Sequence, residues 1–122
     1  AANITCNPGE HGAILVRAIE PLNGINKMIA RRSRKRTKVS LQWDPEEYRS
    51  LRTMTNGPSK LCEALGIRKE WNRSPVGEHL EIFRREEAPP IEATERIGIS
   101  QSTEYPWRFC DANSEFLSRP LR

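Results

Sequence analysis

The apolar positions of this chain change spacing several times, and each change predicts an element. Residues 13 to 19 read A-I-L-V-R-A-I, a nearly unbroken apolar run. It predicts a strand over 13–20, buried on both faces and closed by Glu20-Pro21. Arg17 interrupts this strand. An arginine inside an apolar strand is costly to desolvate, so it either meets a carboxylate, with Glu20 and Glu63 the candidates, or points into a functional cleft. From Ile25 the period lengthens: Ile25, Met28 and Ile29 fall on one face of a helix. A proline-led acidic turn, Asp44-Pro45-Glu46-Glu47, begins a second helix through Leu51.

Residues 55 to 67, T-N-G-P-S-K-L-C-E-A-L-G-I, specify a third helix. Gly57 and Pro58 suit the N-cap and first helical position, Leu61 and Leu65 stack one turn apart, and Gly66 suits a left-handed C-terminal residue. Beyond Trp71 the pattern becomes strand-like. Gly77 to Phe83 alternates loosely, E-A-P-P at 87 to 90 is a turn, and R-I-G-I-S at 96 to 100 is a short strand with Gly98 at its centre. Gly98 marks a bulge, a tight packing site or a partner approaching the main chain. Y-P-W-R-F-C at 105 to 110 predicts a strand whose aromatics fill a core, and E-F-L-S-R at 115 to 119 closes the chain. There is no regular βαβ alternation and no internal repeat. The expected fold is α+β, a single domain with a mostly antiparallel curved sheet and short flanking helices.

Composition changes this picture in two respects. At 122 residues and 36% hydrophobic, the chain makes one domain with a modest core. Its net charge of +4 and pI near 9.3 lean towards a polyanionic partner, although 16 acidic residues are mixed with the 20 basic ones. The densest basic run is R-R-S-R-K-R-T-K at 31 to 38, where six of eight residues are cationic. Contact with DNA phosphates, a nuclear-import signal and a solvated helix end or loop all remain open for it.

No apolar run reaches membrane-spanning length and no secretory segment precedes a cleavage site, so the chain reads as soluble and intracellular, in a prokaryotic cytoplasm or a eukaryotic nucleus. Cys6, Cys62 and Cys110 are odd in number and far apart, which argues against a disulfide framework and a zinc site. The N-x-T at Asn3 and the N-x-S at Asn72 carry little weight without a secretory context. The sequence begins at Ala1 and enters its first apolar run within a few residues, like the back part of something longer.

Candidate chemistry is sparse. His11 and His79 lack metal-ligand spacing, and no nucleophile motif or phosphate-binding glycine loop is present. Lys60 is the unusual residue, a cation in the first turn of a helix where the dipole favours anions. The exposed N–H groups, the Ser59 hydroxyl and the Lys60 ammonium together would suit a phosphate; otherwise Lys60 is a surface residue beside a well-capped helix.

The order of segments adds a resemblance. N-I-T at 3 to 5, G-A-I-L-V-R-A-I-E-P-L-N-G at 12 to 24, N-G-P-S-K-L-C-E-A-L-G-I at 56 to 67, R-I-G-I-S, P-W-R-F and F-L-S-R follow one another as in the C-terminal part of the alkyladenine (3-methyladenine) DNA glycosylase family, which the chain resembles over nearly its whole length. The longest departure is the basic, variable stretch from about 30 to 53, within which 30–42 is taken as a basic variable loop. On this resemblance, residues 1–122 are the C-terminal portion of one glycosylase domain. The family flips an alkylated or deaminated purine out of duplex DNA and hydrolyses its N-glycosidic bond in base excision repair.

The resemblance assigns roles residue by residue. Arg17 would help hold the attacking water and the local phosphate, and the Ile97 carbonyl would line the water site. Ser59, Lys60 and Gly98 would meet the DNA backbone. Asn3 would crowd the pocket floor against the exocyclic amino group of guanine. The family's general-base glutamate, base-stacking aromatics and wedge tyrosine would precede Ala1, so the chain alone is expected to be inactive, with roughly a hundredfold to ten-thousandfold lost from the missing base. No metal or organic cofactor is implied, the chemistry is monofunctional hydrolysis, and the expected state is a monomer on double-stranded DNA containing damaged purines. Two other readings remain: a non-catalytic DNA-binding remnant, and a structural module in which Arg17 pairs with Glu20 or Glu63.

Overall fold

A computed structural model of the chain describes residues 1–33 and 48–121. Three helices carry the core: α1 (Ile25–Ser33), α2 (Tyr48–Thr55) and α3 (Pro58–Leu65). Each presents apolar residues at helical spacing. Met28 of α1, Leu51 and Met54 of α2, and Ala64 of α3 are buried together, with Ile25, Ile29 and Leu65 packed against them. Phe116, from the C-terminal segment, inserts into the same cluster. Burying a side chain such as Met54 contributes about 1.5–3 kcal/mol, so these few residues hold the helices together.

α3 forms as its sequence predicts. Gly57 stands at the N-cap with extended backbone, Pro58 occupies the first turn, and Gly66 takes φ 70° at the C-terminal end. The Gly66 N–H donates to the Glu63 carbonyl at 3.2 Å and the Ile67 N–H to the Cys62 carbonyl at 2.9 Å, a pairing that closes the last turn. The expected helix start at Asp44 to Glu47 lies outside the described residues, as do the last five residues of the basic run and most of the 30–42 loop.

The strands form two antiparallel pairs. β1 (Asn3–Thr5) pairs with β2 (Ala13–Leu15) in the register Asn3 to Leu15, and β3 (Ile91–Thr94) pairs with β4 (Arg108–Asp111) in the register Ile91 to Asp111. The fold is α+β, with antiparallel pairing throughout these two ladders.

Several expected strands are corrected. β2 stops at Leu15 and is exposed along its length, so 13–20 is not a strand buried on both faces. One further bond, from the Val16 N–H to the Ala2 carbonyl, extends the ladder. Ile19 then turns its backbone to the end of α2: its N–H donates to the Thr55 carbonyl at 3.4 Å and its carbonyl accepts from Thr55 Oγ1 at 2.7 Å.

Residues 77–79 form a turn, with the Gly77 N–H donating to the Leu80 carbonyl, and 80–83 are irregular, so 77–83 is not a strand. Residues 96–100 form bends and irregular backbone instead of a strand, with Gly98 at φ 73° in the left-handed region. β3, which the sequence did not announce, begins immediately after Pro90. In β4 the alternation buries Cys110, while Phe109 and the neighbouring Tyr105 and Trp107 face outward instead of filling a core.

Candidate nucleic-acid interface

Among the described residues no side chain caps the start of α3, and no acidic residue lies in its first turn, so its N–H groups retain their attraction for an anion. Ser59 is exposed there. Lys60 runs its methylenes back over the cap, where a Cβ on Gly57 would lie 3.6 Å from Lys60 Cδ. Its Nζ donates to Asn56 Oδ1 at 2.9 Å. Asn56 therefore holds the ammonium beside the helix start, and this explains how a cation is tolerated at the positive end of a helix dipole. Sequence reasoning missed Asn56, although its position four residues before Lys60 was a legible signal.

Arg17 is reached through a continuous set of backbone bonds. Asn3 pairs with Leu15, two residues before Arg17, and Ile19, two residues after it, is bonded to Thr55. Thr55 is fully buried and lies two residues ahead of Gly57. The structure thus strings Asn3, Arg17, Ser59 and Lys60 along neighbouring segments. Arg17 Nε is buried and has no hydrogen-bond partner among the described residues.

Glu63 is not the partner of Arg17. It pairs with Arg32 at 3.4 Å, and the Arg32 side chain is almost completely buried. Arg31 is likewise structural: its Nη1 donates to the Ala64 carbonyl at 3.1 Å and its guanidinium packs on Gly66 at the end of α3. The first two residues of the basic run are therefore tied to α3. Arg32 stands four residues after Met28 and seven after Ile25, so helical periodicity alone would have placed it on the inner face.

Ile97 and Gly98 lie in the connection between β3 and β4, and no backbone hydrogen bond among the described residues joins 96–100 to the Arg17 segment or to α3. Ile97 is half-buried. A Cβ at Gly98 would meet no atom within 4 Å, so a tight packing site is excluded and its φ accounts for the glycine. Concavities of about 480 Å³, bounded by Arg52, Glu92 and Leu121, and about 410 Å³, bounded by Arg31, Cys62 and Trp71, involve none of Asn3, Arg17, Lys60 and Ile97. Among the described residues no three His, Cys, Asp or Glu side chains converge as a metal site, and no helix is long and apolar enough to cross a membrane.

A helix start with a cation pinned beside it is chemically suited to a phosphate. The sequence matches the model of the methylpurine-DNA glycosylase family over residues 1–115, and the chain belongs to that family. It is similar to proteins named "Putative 3-methyladenine DNA glycosylase" from Nitrosospira multiformis, at 38% identity over 98% of this chain and 56% of the relative. A Rhodopseudomonas palustris relative of the same name is 40% identical over 98% of this chain and 52% of its own length. The Agrobacterium fabrum relative, also so named, is 38% identical over 97% and 53%. The chain therefore spans about half the length of the relatives it matches.

Proposed function

We propose that this chain is the backbone-gripping portion of a DNA glycosylase that flips alkylated or deaminated purines and hydrolyses their N-glycosidic bond. The observation that carries this reading is the family match over 1–115, combined with the backbone linkage that sets Asn3, Arg17, Ser59 and Lys60 on adjoining segments. In this scheme Ser59, Lys60 and the helix start hold a phosphate beside the flipped nucleotide. Arg17, with an N–H left over, orients the water and the adjacent phosphate, the Ile97 carbonyl lines the water site, and Gly98 lets the DNA backbone approach. Asn3 opposes the amino group of guanine.

A hydrolytic water also needs a base. Glu63 is committed to Arg32, and Glu20 is exposed three residues past Arg17. Neither is set up to take a proton, which supports assigning the general base and the base-stacking aromatics to the part of the family domain that this chain does not span. The chain alone then binds duplex DNA as a monomer without releasing a base.

The competing reading, a remnant that binds DNA by charge alone, differs at Arg17 and Asn3. The test joins this chain to the part of the Nitrosospira multiformis relative outside the matched region and follows single-turnover base release. Arg17→Ala should slow hypoxanthine release at least tenfold with duplex binding retained, and Asn3→Ala should raise release of guanine. If both variants release bases at the unsubstituted rate, the assigned roles are wrong.

A further inference from the structure

Seven hydrophobic residues are buried among the described residues, while ten large ones are exposed. Four of the ten lie in the strand pairs: Ile14 and Leu15 in β2, Ile91 in β3 and Phe109 in β4. Ile91 is 58% exposed and Phe109 68%, and Phe109 stands directly opposite Ala93 on the outward face of the β3–β4 pair. The inward face of that pair holds Cys110, which is buried, and Thr94, which accepts from Arg108 at 3.3 Å. Next to Phe109, Trp107 is 55% exposed and stacks on Tyr105 with ring centroids 4.4 Å apart. On the other pair, Ile14 is 68% exposed.

Among the described residues each pair has two strands, so each strand has one edge without a partner there, and β1 (N-I-T) and β2 (A-I-L) carry no charge to block pairing. A two-stranded hairpin is marginal alone, and uncharged edges with an apolar face accept further strands. Exposed aromatics that cluster mark a contact surface.

The relatives indicate what covers it. They match 97–98% of this chain yet extend to nearly twice the matched length, so they carry almost as much polypeptide again. We infer that the outward face of β3–β4, with the uncharged edges of β1–β2, is an interface for the polypeptide corresponding to the unmatched half of the relatives, which adds strands and covers Phe109, Trp107 and Ile14. The fit is the same whether that polypeptide is continuous with this chain or is supplied separately. The inference rests on the proposed division of the glycosylase domain and adds where the two portions meet.

The test refolds this chain with an equimolar polypeptide made from the unmatched part of the Nitrosospira multiformis relative and measures mass by sedimentation. An equimolar complex is expected, with Trp107 fluorescence shifted to the blue. Phe109→Asp and Ile14→Asp should each weaken association at least tenfold, whereas Val76→Asp, an exposed residue outside the strands, should not. Circular dichroism of each variant alone should match the parent, because these side chains are already exposed.

Absence of a complex, or a complex indifferent to Phe109→Asp, overturns the inference. So does self-association of this chain abolished by Phe109→Asp, which would give the face to a second copy, and so does duplex binding by the chain alone that is lost on the same substitution. Mass is read without base release. A complex that forms but releases no hypoxanthine keeps the interface and rejects the glycosylase reading; release that ignores Phe109 does the reverse.

Discussion

Thr55→Val isolates the contact that docks the Arg17 segment. Thr55 is fully buried, and its Oγ1 donates to the Ile19 carbonyl at 2.7 Å. Valine has nearly the same shape, so no cavity forms, but the Ile19 carbonyl loses its side-chain donor. Leaving this part-buried acceptor without its donor costs about 1–3 kcal/mol, and the added methyl at the fully buried Thr55 position offsets part of that, leaving about 1–2 kcal/mol. The folded-to-unfolded ratio should fall about 5- to 30-fold. In urea, with a slope of about 2 kcal/mol/M, the midpoint should move down by roughly 0.5–1 M at unchanged slope. Amide exchange adds a local readout: the Ile19 N–H, bonded to the Thr55 carbonyl, should lose protection more than the amides of α3. An unchanged midpoint and unchanged Ile19 protection would refute the idea that Thr55 fixes this segment.

Three further substitutions probe other parts of the account. Lys60→Ala should weaken binding to undamaged duplex and reduce the slope of log affinity against log salt by about one, measured by fluorescence anisotropy across a salt series. Glu63→Ala removes the carboxylate paired with the buried Arg32 side chain, and because Glu63 is partly exposed the loss should stay below the roughly 3 kcal/mol of a fully buried pair, in urea unfolding. Gly66→Ala forces a side chain into φ 70° and sets a Cβ 3.1 Å from Arg31 Cζ; it should cost about 1–2 kcal/mol and increase amide exchange at Ile67.

The helices were the most legible part of the fold. α3 was readable because Gly57, Pro58 and Gly66 mark both ends and Leu61, Ala64 and Leu65 keep helical spacing between them, so local and tertiary preferences agree. The strands were not, for identifiable reasons. The run 13–19 looks buried because it is apolar, yet its strand portion is exposed and the remainder turns to Thr55, a partner 36 residues away that no local pattern reveals. The aromatics of 105–109 suggested core because aromatics usually are; in β4 the alternation puts Cys110 inside instead.

Among candidate site residues, Lys60 was legible from its odd position in the helix. The fate of Arg17 was not, since Glu63 satisfied the sequence criterion for a partner but is claimed by Arg32, on a helix whose periodicity had been overshadowed by a dense run of charge. Asn3 was visible only through the resemblance to the family, since nothing in its local pattern distinguishes it.

The central claim is that these residues supply the grip and the water-orienting arginine, while the base that activates the water lies in the remainder of the family domain. Single-turnover release of hypoxanthine from a defined duplex tests it most directly, comparing this chain alone with the same chain joined to the unmatched part of the Nitrosospira multiformis relative. Release by the joined protein only is the predicted result. Release by the chain alone would contradict the claim, and would mean that a carboxylate within these residues, Glu20 foremost, activates the water.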